Sequence, residues 1–265
     1  MGETKEPSVH IRKLLDRLVE GEILPKDERE RVAREVAAEA RSLPREDVLR
    51  ALDRAVGRNK KRRLHSVHIL AELRDVPEVI DRITAGLESP DAEWRSWLIQ
   101  TVERCGFRHC GDALARIIAN DPDSFCREAA IQAAGALRLP ECMPPILALA
   151  QQEAHEWAVT CALASYATEE CRPHLARTFE GTTYTDLRVM AAWGLARLNE
   201  PKALPFLVEM LDDPDQCGDT YFHPGQSLRA AQAVCDLHGW PFTWNKEYVV
   251  QIKERVASLG RTSGH

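Results

Sequence analysis

The chain is poor in the residues that build turn-dense β-structures. Only 6% of its 265 residues are aromatic, and Gly (14) and Pro (15) together supply about one position in nine. That composition argues against a β-sandwich and leaves a helical protein as the expectation. Long apolar runs are also missing. The longest, from Met143 to Ala150, falls far short of the roughly 20 consecutive apolar residues of a membrane helix, so no bilayer span is expected. The opening stretch Met1-Gly2-Glu3-Thr4-Lys5-Glu6 has no apolar core for a signal peptide, and Glu6 stands where a myristoylation signal wants Ser or Thr. A cytoplasmic chain is the expectation. No phosphate-cradling glycine loop and no G-x-S-x-G turn occurs. No cofactor and no catalytic residue is therefore assigned, and the protein reads as more probable binder than enzyme.

What is present suffices for a core: 44% of residues are apolar and 29% charged, which excludes a wholly disordered or collagenous chain. The net charge of −6 is unevenly spread. Residues 1–75 carry 18 basic and 15 acidic side chains, net +3, which leaves −9 for residues 76–265. Nonspecific phosphate binding works by displacing counterions with Lys and Arg, so a largely acidic chain does not point to nucleic acid as partner. The basic run from Arg58 to Arg63 reads as a solvated helix face. Eight cysteines in a chain of this kind read as reduced thiols.

Self-similarity organises the rest. An apolar residue followed by Arg, with small or apolar residues three, four and seven places later, recurs at Trp94-Arg95, Cys126-Arg127, Leu187-Arg188 and Leu228-Arg229. Arg63 lies one period earlier, and Trp157 is taken as the occupant of the intervening copy. The steps are then 32, 32, 30, 31 and 41, a period near 31 with one insertion. Each copy is followed by a second amphipathic stretch, such as Ile146, Leu147 and Ala150, or Leu204, Leu207 and Leu211. Pro77, Pro145, Pro173 and Pro205 fall near the starts of these stretches, where a missing N–H costs little. Each repeat thus predicts a two-helix hairpin, with Ser89-Pro90-Asp91 and Asp121-Pro122-Asp123 supplying turn and capping chemistry.

The stretches LARLNEPKALPFLVEMLDDPD (195–215) and DPDSFCREAAIQAAGALRLPE (121–141) resemble the HEAT-like repeats first associated with phycobilisome lyases. The resemblance runs from about Pro44 to Trp240. It implies an all-α, right-handed α-solenoid of about six hairpins whose second helices line a concave face. It also implies scaffolding for another macromolecule, and Arg side chains that pair with a carboxylate or carbonyl of a neighbouring turn. Residues 1–43 are expected to form N-terminal capping helices, 44–240 the array with an insertion at 214–227, and 241–265 a C-terminal capping helix. Caps are needed because a terminal repeat otherwise leaves apolar surface bare.

If positions −1, +3, +4, +7 and +10 from the Arg site point into the stack, then −2, +2, +5 and +9 form an open stripe. That stripe is unusually rich in large apolar and interface-prone groups. It holds Trp97, Gln100 and Arg104 in one copy and Phe125 and Gln132 in the next. His155, Val159 and Tyr166 follow, then Met190, Trp193 and Arg197. These eleven residues are the candidate partner-binding set, with another protein as the expected partner. Metal chemistry has weaker support. Cys217, His223, Cys235 and His238 straddle the insertion with irregular spacing, and the one His155-Glu156 pair cannot by itself assemble the diiron site that the repeats of deoxyhypusine hydroxylase hold. No metal site is assigned. The alternatives to a scaffold are a HEAT-like DNA glycosylase, using Trp97 and Trp193 with Asp186 or Glu93, or a bilin lyase subunit. Both rest on fold analogy alone.

Overall fold

A computed structural model describes residues 7–46, 48–49, 60–212, 219–220, 223–224, 226–243 and 245–262. They form two compact units, Met1–Cys142 and Met143–His265.

In the first unit, α1 (Pro7–Gly21) and α2 (Lys26–Arg41) pack on each other and on α3 (Lys60–Glu72). Helical spacing puts Leu14, Leu15 and Leu18 on one face of α1 and Val36 and Ala40 on one face of α2, and all five are buried. Next come α4 (Pro77–Gly86), α5 (Ala92–Cys105), α6 (Gly111–Asn120) and α7 (Ser124–Leu137). The helices α3, α5 and α7 pack successively as one layer, while α4 and α6 each pack against the neighbouring member of it. Local chemistry sets the boundaries. Pro77 opens α4, the Asp91 carboxylate accepts the Glu93 and Trp94 amides at 2.9 and 3.2 Å, and Asp123 accepts that of Cys126 at 2.8 Å. Gly106 ends α5 with φ +74°, a left-handed conformation that costs glycine nothing.

The second unit repeats the scheme with α8 (Met143–Gln151), α9 (Glu156–Tyr166), α10 (Arg172–Gly181), α11 (Thr185–Arg197), α12 (Ala203–Glu209) and α13 (Gln226–His238). Here α9, α11 and α13 form the continuous layer. Gly194 lets α11 approach α9 closely: a Cβ there would lie 2.7 Å from the Ala164 Cα. The final helix α14 (Lys246–Thr262) packs on α13, with Val249 and Ile252 buried. Trp240 stacks on His238 at 4.5 Å and carries the Arg255 guanidinium over its ring at 4.0 Å. Trp244 lies outside the described residues.

The architecture is therefore the all-α, solenoid-type stacking of helical hairpins that the periodicity and the resemblance imply. Within the expected insertion a two-residue antiparallel pair forms, β1 (Asp219–Thr220) with β2 (His223–Pro224), Thr220 opposite His223. Cys217 lies outside the described residues. No helix among them is long and apolar enough to cross a membrane.

Candidate functional site

The repeating arginine has a fixed structural address. Arg95, Arg127 and Arg188 each donate their backbone N–H to the carbonyl of the helix N-cap residue, Asp91, Asp123 and Tyr184, at 3.0, 3.1 and 3.0 Å. In α9 the N-cap is His155, and the residue that donates to its carbonyl, at 3.0 Å, is Val159. The fourth copy of the motif is thus centred on Val159, two residues beyond Trp157. The 32-residue step from 63 to 95 to 127 continues to 159. Val159 is fully buried, so its assignment to the open stripe is corrected: an apolar side chain substitutes for the arginine and fills the stack. Trp157 moves to the −2 position, which Phe125 occupies in α7.

Side-chain partners explain why arginine is used. Arg95 is buried and grips Asp121 in a two-pronged bond, Nε to Oδ2 at 2.9 Å and Nη2 to Oδ1 at 2.7 Å, while Nη1 donates to the Ser89 carbonyl at 2.8 Å. Arg188 donates to the Phe179 carbonyl at 3.0 Å, and its guanidinium lies 4.6 Å from the Phe206 ring centroid. Arg229 stands over the Trp157 ring at 4.9 Å, its Nε 3.7 Å from Asp186 Oδ1. The Nε atoms of Arg127 and Arg229 are buried without a hydrogen bond. Arg95, Arg188 and Arg229 thus face protein groups rather than an open anion site. The side chain of Arg63 is not among those described.

The remaining stripe residues keep some exposure. On the first unit, Trp97 and Gln100 are half-buried, Arg104 and Gln132 exposed, and Phe125 is 61% exposed. Trp97 stacks on Trp94 with ring centroids 4.9 Å apart, so a rigid aromatic pair adjoins the α5–α7 layer. On the second unit, Met190, Trp193 and Arg197 are half-buried, and Trp157, which the sequence reading left out of the set, is 38% exposed. His155 and Tyr166 are half-buried too, but in the corrected register His155 is the N-cap and Tyr166 falls at the inward +7 position, so neither belongs to the stripe. The Trp193 indole N–H donates to Asp236 Oδ2 at 2.9 Å, and Arg197 stands 5.4 Å from the ring centroid while donating to the carbonyls of Ala164 and Ser165 at 2.9 and 2.7 Å. Arg197 therefore ties α11 to the C-terminal end of α9 and also edges the tryptophan. The signal that could have found Trp157 is the 32-residue step from 63 to 95 to 127, which a −2 assignment continues to 159 and an arginine-site assignment breaks.

Four of the described thiols are poor nucleophiles. Burial pushes Cys105, Cys142 and Cys161 up to about 12 and Cys126 up to about 11, so the reactive thiolate is scarce near neutral pH. The described cysteines are free and, apart from the half-buried Cys161, buried. Among the described residues no group of three or more His, Cys, Asp or Glu side chains is arranged to hold a metal ion. Cys235 is buried in α13, and His238 stacks on Trp240. Buried His174 sits between Thr160 Oγ1, at 3.0 Å from Nε2, and Arg177 Nη2, at 3.2 Å from Nδ1. Because Arg177 only donates, Nδ1 accepts and Nε2 carries the proton. Burial and the arginine charge lower its pKa to about 4.

Residues 187–213 match the family model described as PBS lyase HEAT-like repeat, which covers α11 and α12. No curated protein matches the chain. Among solved structures, the chain is similar to an engineered protein from a structural genomics consortium at 15% identity and a TM-score of 0.40, covering 94% of this chain and 72% of that one. At that level the likeness carries no inference about activity or assembly.

Proposed function

We propose that this chain, which carries a HEAT-like repeat of the PBS lyase type, is a non-enzymatic scaffold. Its partner is another protein, held by the open stripe of the arginine-bearing helices. The observation that supports this reading most directly is the exposure of Phe125 and Trp157 at the same repeat position, −2. Isolated exposed hydrophobics are common on soluble proteins, but two bulky aromatics at the same register position, in α7 and in α9, have the composition of an interface centre. The −2 positions of α5, α11 and α13 hold Glu93, Asp186 and Ser227. The second supporting feature is rigidity. Trp97 is stacked on Trp94, and the Trp193 indole is held by Asp236, so each would meet a partner without losing much rotamer freedom. An adaptor, an assembly factor and a toxin-neutralising immunity protein all use a surface of this kind.

The test is affinity capture with the full chain, comparing wild type with a Phe125→Ala, Trp157→Ala variant and with a Trp97→Ala, Trp193→Ala variant. The proposal expects a specific protein band that both variants lose. Salt-sensitive binding to duplex DNA with unchanged protein capture would overturn it in favour of a nucleic-acid-acting enzyme.

A further inference from the structure

A pocket of about 530 Å³ opens in the first unit, away from the stripe of α5 and α7, between α1, the turn after it, α2 and α3. Its volume falls in the range of small-molecule sites, roughly 300–1,000 Å³. The wall is mixed. Leu18, Gly21, Val32, Ala33 and Ala71 give it an apolar side, and charged groups rim the rest.

The charges do not cancel. Glu22 Oε1 lies 2.9 Å from His65 Nε2, Glu30 pairs with Arg34 at 3.9 Å, and Glu72 pairs with Arg41, outside the pocket, at 2.9 Å. Glu30 and Glu72 thus have guanidinium partners and Glu22 an imidazole, in a lining of three carboxylates and two guanidiniums. Among the described residues, Arg29 has no carboxylate within ion-pair distance, and His68 meets only the His65 ring, stacked at 6.1 Å. Burial and the neighbouring His65 lower the pKa of His68, and no carboxylate acts to raise it. Among the described residues the pocket therefore presents one guanidinium without an ion-pair partner and one imidazole beside an apolar wall.

We propose that this pocket binds a small monocarboxylate with an apolar body, its carboxylate held by Arg29 and His68 and its hydrocarbon lying on Leu18, Val32 and Ala71. A guanidinium offers two parallel donors to a carboxylate, and the imidazole adds a third. A neutral amide of the same shape would fill the apolar side but leave the guanidinium without its charge partner.

Hexanoate and hexanamide serve as probes, titrated into the isotope-labelled full chain and followed by backbone amide NMR shifts. The expected result is saturable shifts confined to α1, α2 and α3 with hexanoate, at least tenfold weaker binding of hexanamide, and at least tenfold weaker hexanoate binding to an Arg29→Ala, His68→Ala variant. Both residues are solvent-exposed, so the variant should fold, which its amide spectrum checks directly. Equal binding of acid and amide, undiminished binding by the variant, or shifts scattered over the chain would overturn the proposal. His68 holds the +5 position of the Arg63 copy but lies outside the candidate partner-binding set, all of which the variant leaves intact, so the outcome is read separately from partner capture.

Discussion

The Val159 amide donates to the His155 carbonyl at 3.0 Å, the same bond that Arg95 makes to Asp91 and Arg188 makes to Tyr184. One backbone hydrogen bond thus defines the register of the repeat across helices whose side chains at that position differ completely. It follows that Val159 is a packing residue and Trp157 a surface one. Val159→Ala should lower stability by about 1–3 kcal/mol, the cost of lost methyl burial and a small cavity, measured by denaturant unfolding. Trp157→Ala should cost less, because its ring is partly exposed and its contact with Arg229 is a cation–π pair of about 0.5–2 kcal/mol.

The Arg95–Asp121 pair makes a sharper prediction. Both side chains are buried and bonded through two oxygens, so removing either alone leaves an uncompensated charge. Asp121→Ala or Arg95→Ala should each destabilise by about 3–5 kcal/mol, whereas an apolar double replacement such as Arg95→Met with Asp121→Leu should recover much of the loss. A double-mutant cycle in chemical denaturation measures the coupling. Additive single losses would show that the pair contributes no more than independent contacts.

Repeat periodicity, capping aspartates and the pairing of Arg95 with a carboxylate and of Arg188 with a carbonyl were legible in the sequence because each rests on local chemistry or on helical spacing. The register of α9 was not. Its apolar Val159 lacks the arginine that marks the other copies, and Trp157, bulky and next to Ala158, satisfied the same small-and-apolar pattern two residues early. The exposure of the candidate stripe was legible for Phe125, whose −2 position follows from its own intact motif. The half-burial of Trp97 and Trp193 was not, since it depends on Trp94 and Asp236, contacts that periodicity does not encode. The pocket was invisible too: it arises from how α1, α2 and α3 meet, not from any motif.

Stability should fall on acidification through His174. Its folded pKa of about 4 lies below the unfolded value of about 6.5, so the unfolded chain takes up the proton first. The neutral ring's contribution is complete above about pH 6.5, is lost as pH falls toward 4, and amounts to about 3 kcal/mol at most. His174→Asn should flatten this part of the stability–pH profile, and an unchanged slope would contradict the buried neutral assignment.

Close approach of α11 to α9 at Gly194 should be intolerant of any side chain. A Cβ would sit 2.7 Å from the Ala164 Cα and 2.8 Å from a Leu175 methyl, and the first is backbone that cannot yield without moving the helix. Gly194→Ala should therefore destabilise by about 1–3 kcal/mol despite alanine's better helix propensity. A melting temperature at or above wild type would show that the helices separate freely.

The account's central claim is that the −2 aromatics are a gripping surface. Its most direct measurement is quantitative mass spectrometry of proteins captured from lysate by wild type, by the Phe125→Ala, Trp157→Ala variant and by an Ile23→Ala control. Ile23 is 90% exposed on the turn after α1, so the control removes comparable apolar surface elsewhere. The expected result is one protein depleted at least tenfold by the aromatic variant and unaffected by the control. Equal recovery of every captured protein by all three chains would contradict it.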